Sequence, residues 1–301
     1  MSGRMDWKSK RVEALLEQAL VEDQALKDIT TSYTIDPKLR ATGTIVAKED
    51  CVVSGLGCIP RFLDIYSRLS QAAGQANAVR YEVVHHPEIF DGVRVKRGQS
   101  IAVVRSTARV LLSCERVILN LMQRMSGIAS ITRSYVDQVH GTNARVLDTR
   151  KTVPGLRLLD KYAVSCGGGE NHRLDLSDGI LIKNNHIALG GGIPNVVAAA
   201  LAARQPGQRV QVEVRNREEL EQAILAGAEA ILLDNMTPTE VAASVELIRS
   251  RGLTVPIEAS GGIQIDTIRS YAEAGVDYIS SGALTHSAVA TDLSMRIVAE
   301  P

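Results

Sequence analysis

Apolar positions fall into two rhythms along the chain, and the change of rhythm divides it. Near the start, Val12, Leu15, Leu16, Ala19 and Leu20 recur at helical spacing and predict an amphipathic helix. Residues 42–53 read as a strand, ended by Gly55 and Gly57. Ile59, Phe62, Leu63, Ile65, Tyr66 and Leu69 return to helical spacing. Further strands are expected over 79–84 and 93–104, with turns at Asp91-Gly92 and Arg97-Gly98. A long helical segment follows over 108–139, carrying Leu111, Leu112, Val117, Ile118, Leu121, Met122 and Met125 and interrupted near Gly127. It reads as the passage between two domains.

Beyond it, short apolar runs alternate with helical patterns. Strands are predicted over 144–147, 179–182, 209–214, 230–233, 255–257 and 278–279, with helices between them such as 216–225, 239–249 and 265–274. Alternating βα units indicate a parallel sheet. No nucleotide-binding G-x-G-x-x-G follows the first strand, which favours a barrel over a doubly wound sheet.

Composition narrows the class. A chain of 301 residues is long enough to bury one large core or two smaller ones. Aromatics make up only 3%, so Leu, Ile, Val and Ala must carry that core. Formal net charge is zero, which gives no support to a general nucleic-acid or membrane-surface role. Cys51, Cys58, Cys114 and Cys166 form no C-x-x-C pair and no cluster with zinc spacing, so reduced thiols in a cytoplasmic protein are expected. The first 23 residues carry Asp6, Glu13, Glu17, Glu22 and Asp23 and lack an apolar run, unlike a secretory or transit segment. No apolar stretch is long enough to predict a membrane span.

In barrels of this kind chemistry sits at the carboxyl ends of the strands. After the first strand come Asp148, Thr149, Arg150 and Lys151; the second ends at Lys183, the third carries Glu213, and the fourth ends at Asp234. The fifth is followed by Glu258, Ala259, Ser260, Gly261 and Gly262, and the sixth by Ser280, Ser281, Gly282 and Ala283. Cations thus lie on the early strands, carboxylates on the middle ones, and Gly-rich turns at the close, where exposed backbone N–H groups attract phosphate. Taken singly, each has a plainer explanation, as a tight turn or a helix cap. The loop after the first strand adds three glycines and then Glu170, Asn171, His172 and Arg173. Arg116 and Arg124 lie on the long helix, where a solvated edge or an intrahelical pair is the ordinary role.

So many cations in one mouth repel each other unless an anion neutralises them. Arg favours bidentate contact with carboxylate and phosphate. Glu213 and Asp234 suit Mg²⁺ or sugar hydroxyls, since Mg²⁺ takes one or two carboxylates plus phosphate oxygens. The expected ligands are a multiply anionic compound and a magnesium-bound sugar phosphate.

These residues stand in longer motifs: L-D-T-R-K-T-V-P-G-L-R at 147–157, G-G-G-E-N-H-R-L-D-L-S-D at 167–178, I-L-I-K-N-N-H at 180–186, I-L-L-D-N at 231–235, E-A-S-G-G-I at 258–263 and S-G-A-L-T-H-S at 281–287. With E-R-V-I-L-N-L-M-Q-R-M-S-G-I-A at 115–129, they resemble the quinolinate phosphoribosyltransferase family, in order, from about residue 20 to 293. The resemblance implies an N-terminal α/β sandwich domain over 1–115, joined by the tail 288–301, and an open, TIM-like α/β barrel over 116–287. It implies that quinolinate and 5-phosphoribosyl-1-pyrophosphate give nicotinate mononucleotide, pyrophosphate and CO₂ in NAD biosynthesis. It also implies Mg²⁺, a cytoplasmic setting, and a homodimer or larger assembly of dimers, with no nucleic-acid or membrane partner.

Residue by residue, Arg150, Lys151, His172, Arg173 and Lys183, with Thr149 beside them, match positions around quinolinate and the neighbouring phosphate. Arg116 matches an arginine contributed by the partner subunit. Glu213 and Asp234 match acidic residues near the ribose hydroxyls and the metal, directly or indirectly bound; with Lys151 they form the expected catalytic set. Ser260, Gly261, Gly262 and the Ser281, Gly282, Ala283 turn match phosphate-binding loops. Departures from the family pattern at Lys27-Asp28, Cys114 and Asn184 touch none of these. The alternatives are a related phosphoribosyltransferase for another base or acid, a phosphosugar isomerase or an aldolase using Lys183 as a Schiff base, and a non-catalytic ligand-binding or scaffold protein.

Overall fold

The computed structural model describes residues 5–75 and 78–301. Residues 1–4 of the acidic N-terminal stretch lie outside the described residues. The chain forms two compact units, Met1–Ile131 with Val153–Gly168 and Ala288–Pro301, and Thr132–Thr152 with Gly169–Ser287.

In the first unit, helix α1 (Lys10–Glu22) buries Val12, Leu16 and Leu20, the stripe its spacing predicts. Helix α2 (Ile29–Thr34) is capped by Asp28, whose carboxylate accepts the Thr31 N–H at 2.9 Å. The strand expected over 42–53 is two strands, β1 (Arg40–Ala47) and β2 (Cys51–Val52). The charged triplet Lys48, Glu49, Asp50 separates them, and Asp50 accepts from Lys96 Nζ at 2.7 Å and from the Arg97 N–H at 2.9 Å. Helix α3 (Cys58–Ala72) buries Ile59, Phe62, Leu63 and Ile65. Strands β3 (Glu82–Val84), β4 (Arg94–Val95) and β5 (Ser100–Thr107) complete this part.

Helix α4 (Ala108–Gln138) then runs unbroken for 31 residues, so the expected interruption near Gly127 is absent. Glycine serves a different purpose there: a Cβ at Gly127 would collide with the carbonyl oxygen of Val289. The residue provides clearance for a crossing backbone, at a helix-propensity cost of about 1 kcal/mol.

The second unit holds the alternating part of the chain. Strand β6 (Arg145–Leu147) is followed by α5 (Arg157–Cys166), which belongs to the first unit. Then come β7 (Ile180–Ile182), α6 (Asn184–Leu189), α7 (Ile193–Ala203), β8 (Val210–Val214), α8 (Arg217–Leu225), β9 (Ala230–Asp234), α9 (Pro238–Ser250), β10 (Ile257–Ser260), α10 (Ile268–Glu273), β11 (Tyr278–Ser280) and α11 (Ala283–His286). Among the described residues the six strands form one parallel sheet in the order β6-β11-β10-β9-β8-β7. Its edges β6 and β7 are not paired to each other, which makes an open barrel. Strands β8 and β9 are buried almost throughout, as in sheets covered on both faces. Helices α8 and α9 start on Asn216 and Thr237, whose side chains accept from Glu219 and Glu240 N–H.

The last strand, β12 (Leu293–Ala299), returns to the first unit and pairs antiparallel with β1, from Ala41 opposite Ala299 to Ala47 opposite Leu293. That sheet has the order β12-β1-β5-β3 among the described residues. Cys51, Cys58, Cys114 and Cys166 are all buried in this unit. No described helix is long and apolar enough to cross a membrane.

Candidate active site

The register of the parallel sheet decides which side chains share its inner face. Glu213 lies beside Leu232, Leu232 beside Glu258, and Glu258 beside Tyr278. Two residues further along, Asp234 lies beside Ser260, Ser260 beside Ser280, and Ser280 beside Leu147. Side chains alternate across a strand, so Glu213, Asp234, Ser260 and Ser280 face one way. Lys183 follows Ile182, which pairs with Val212, and so reaches the same face next to Glu213. Its Nζ stands 3.6 Å from Glu213 Oε2. Glu213 is buried, while Asp234 is half-buried and accepts from Asn235 Nδ2 at 2.8 Å.

Strand β10 extends past its predicted end, so Glu258 lies within the strand and Ser260 is its last residue. The turn after it has a tight geometry. Gly261 adopts φ +96°, and a Cβ there would collide with Asn235, itself left-handed at φ 55°. The Asn235 N–H donates to the Ser260 carbonyl at 2.9 Å. Two neighbouring strand ends are thereby locked together below exposed Gly262.

The loop after β6 is anchored by Asp148, which is fully buried. Its carboxylate accepts from the Asn171 side-chain amide and from the His172 N–H, each at 2.8 Å. The next peptide N–H, of Arg173, donates to His172 Nδ1 at 2.8 Å. Burial and the charge of Arg150 both push the Arg173 guanidinium down, with partial relief from Asp178. Two guanidinium groups that repel each other at a barrel mouth favour an anion between them. A separate cavity of about 500 Å³ reaches His172, Arg173 and Glu258 from the other side, lined by Arg209 and Tyr278 at the amino ends of β8 and β11 and by none of Lys183, Glu213 and Asp234.

Lys151 is exposed and packs over the closing turn: a Cβ on Gly282 would lie 2.9 Å from Lys151 Cδ. The same loop is tied at both ends. The Lys151 N–H donates to Thr149 Oγ1 at 3.0 Å, and the Lys151 carbonyl accepts from Thr285 Oγ1 at 2.8 Å. Ser281 N–H donates to the Leu147 carbonyl at 3.1 Å, joining the Ser281, Gly282, Ala283 turn to β6.

The structure therefore brings Thr149, Arg150, Lys151, His172, Arg173, Lys183, Glu213, Asp234 and both Gly-rich turns into one unit. Arg116 belongs to the other unit, exposed on α4. Arg124 departs from its expected role: it is neither a solvated edge nor an intrahelical pair. Its Nε and terminal nitrogen bind both oxygens of fully buried Asp160, at 2.9 and 2.7 Å. Asp160 also accepts the Val153 N–H at 3.3 Å.

Three site residues carried no role in the sequence reading. Asp148 and Glu258 stood among the strand-end residues, but their buried polar contacts depend on the loop above them. Gln211 was not singled out, although its spacing of two from Glu213 already placed it on the inner face.

No group of three or more His, Cys, Asp or Glu side chains able to hold a metal occurs among the described residues. Glu213 and Asp234 still fit Mg²⁺ by donor chemistry: two carboxylates on adjacent strands and one face, with phosphate oxygens to complete the shell. Such a pair suits an ion brought in by a phosphorylated ligand.

An open α/β barrel with cations, carboxylates and phosphate-type turns at the carboxyl ends of its strands defines an enzyme class, the barrel phosphoribosyltransferases. Comparison with known proteins agrees. Residues 28–126 match "Quinolinate phosphoribosyl transferase, N-terminal domain" and residues 128–296 its C-terminal domain. The chain is 41% identical to "Nicotinate-nucleotide pyrophosphorylase [carboxylating]" of Mycobacterium leprae, over 94% of this chain and 95% of that one. It is 38% identical to the probable enzyme of that name from Bacillus subtilis, over 95% and 93%. The crystal structure of NadC from Streptococcus pyogenes superposes with a TM-score of 0.89 at 36% identity, covering 99% of this chain and 100% of the other. The chain belongs to the quinolinate phosphoribosyltransferase family, the carboxylating nicotinate-nucleotide pyrophosphorylases, decarboxylating pentosyltransferases of NAD biosynthesis.

Proposed function

We propose that the cationic side of the barrel mouth binds quinolinate and the glycine-turn side binds 5-phosphoribosyl-1-pyrophosphate. The products are nicotinate mononucleotide, pyrophosphate and CO₂. The observation that carries this reading is the repulsion between Arg150 and Arg173, on a family background of quinolinate enzymes. In this assignment Arg150, Arg173 and Lys183 clamp the two carboxylates, with His172 at the loop's edge. The pyridine nitrogen then faces the anomeric carbon of the sugar.

Catalysis here is electrostatic. Glu213 and Asp234 hold the ribose hydroxyls and face the positive charge that develops on the sugar as pyrophosphate leaves. Lys151, packed over Gly282, and the backbone N–H groups of Gly261, Gly262, Gly282 and Ala283, in the turns that Ser260 and Ser281 begin, hold phosphate oxygens. Glu213 and Asp234 would also hold Mg²⁺, directly or through water, which would supply charge neutralisation for the pyrophosphate leaving group. Positioning two substrates in one mouth contributes several kcal/mol in its own right. Once the ring nitrogen is bonded to the sugar it is cationic. Loss of the adjacent carboxylate as CO₂ leaves an electron pair on the ring carbon beside that charge, and a proton then fills it. No nucleophilic side chain is needed.

The protein acts in the cytoplasm as a homodimer or larger assembly of dimers. Exposed Arg116 on α4 enters the acid pocket of the partner subunit, so a monomer is incomplete. The assignment is tested by calorimetry on Arg150→Ala. Quinolinate binding is expected to be lost with the fold intact; unchanged binding in the folded variant contradicts the pocket.

A further inference from the structure

Glu258 has no part in the reaction described above, yet it occupies the middle of the barrel. It is 3% exposed, on the inner face of β10. A buried carboxylate costs several kcal/mol unless it is paired, so its partners define what it does there. Two reach the same oxygen. His172 Nε2 stands 3.4 Å from Glu258 Oε2, and Gln211 Nε2 donates to it at 2.8 Å. Burial pushes the Glu258 carboxyl up, but His172, Ser280 and Gln211 bring it below its ordinary value, so the group is anionic.

The other side of the imidazole completes the arrangement. The Arg173 N–H donates to His172 Nδ1 at 2.8 Å. A ring nitrogen that accepts an N–H carries no proton, so the proton of neutral His172 is on Nε2, facing Glu258. The ring is thus a strut. One end rests on a carboxylate fixed in a β-strand, and the other fixes the peptide from which the Arg173 side chain departs. Asp148 braces the same loop from β6 through the His172 N–H, at 2.8 Å.

We propose that Glu258 is a positioning residue for the acid-binding wall: it holds His172 in the Nε2-protonated form and thereby sets the backbone of Arg173 before substrate arrives. A clamp whose supports are already hydrogen-bonded loses less freedom on binding. Glu258 touches neither substrate in this arrangement, and the inference rests on the reading of Arg173 as a quinolinate ligand.

The test combines ¹⁵N spectroscopy of His172 with binding to Glu258→Gln. The full-length wild-type protein should show a bare Nδ1 and a protonated Nε2. Glu258→Gln keeps the shape and an acceptor oxygen but removes the negative charge that His172 and Gln211 share at Oε2. It should give a mixture of His172 tautomers and weaken quinolinate binding about tenfold, the size of one charge-assisted hydrogen bond. Binding of phosphoribosyl pyrophosphate should be unchanged, and Glu258→Asp should recover part of the loss. A protonated Nδ1 in the wild-type protein overturns the proposal even if the variant fails to fold. Quinolinate binding by Glu258→Gln equal to wild type also overturns it. Arg173→Ala, measured alongside, separates the two levels. If that variant binds quinolinate normally, the pocket reading itself falls.

Discussion

Lys183 Nζ lies 3.6 Å from Glu213 Oε2, a cation and a carboxylate delivered by neighbouring strands to the same inner face. The pair marks where the two halves of the proposed site meet. Lys183 belongs to the acid-binding side and Glu213 to the sugar side; the carboxylate is buried and the ammonium reaches it from the exposed rim.

Separating the two sides by mutation should separate binding from turnover. In Glu213→Ala plus Asp234→Ala, turnover should collapse while quinolinate still binds, because the cations that clamp it remain. Steady-state rates and quinolinate titration of the same preparation check this. Near-normal turnover contradicts the sugar and metal role.

The buried pair of Arg124 and Asp160 has a structural purpose, holding α5 and the Val153 peptide against α4 within the first unit. Asp160→Ala leaves a poorly solvated guanidinium without its bidentate partner. The expected loss is about 3 kcal/mol of stability, read by urea denaturation. A loss near zero contradicts the assigned role.

Asp28 caps α2, and its carboxyl carries a signed dependence on pH. Burial pushes it up, but hydrogen bonds from Thr31, Ser113 and Thr30 bring it below the ordinary 3.8. A group depressed in the folded state stabilises fully above the unfolded value and loses that effect as pH falls through the lower, folded one. Asp28→Ala should therefore cost about 1 kcal/mol at neutral pH. The gap from wild type should close below about pH 4. Thermal melts across that range check it; a gap independent of pH contradicts the cap.

The barrel was legible in the sequence because each strand is a short apolar run with its own helix after it. Strand-end polarity then located Arg150, Lys183, Glu213 and Asp234 without any contact information. Other features depend on contacts that no local pattern encodes. Gly127 looked like a helix break because the backbone of Val289 that requires it lies far along the chain. Arg124 looked solvated because Asp160 approaches from another helix. Apolar pattern alone puts Glu258 past the end of its strand, whereas β10 runs on to Ser260, and its pairing with His172 arises from a loop closing over the barrel. Gln211 differs from these cases, since alternation with Glu213 was readable in advance.

Product analysis tests the central claim most directly. Purified protein is mixed with phosphoribosyl pyrophosphate, Mg²⁺ and quinolinate labelled in the carboxylate next to the ring nitrogen. Labelled CO₂, nicotinate mononucleotide and pyrophosphate should appear in equal amounts, and nicotinate in place of quinolinate should give no nucleotide. Turnover of nicotinate, with no CO₂ released from quinolinate, would contradict the account.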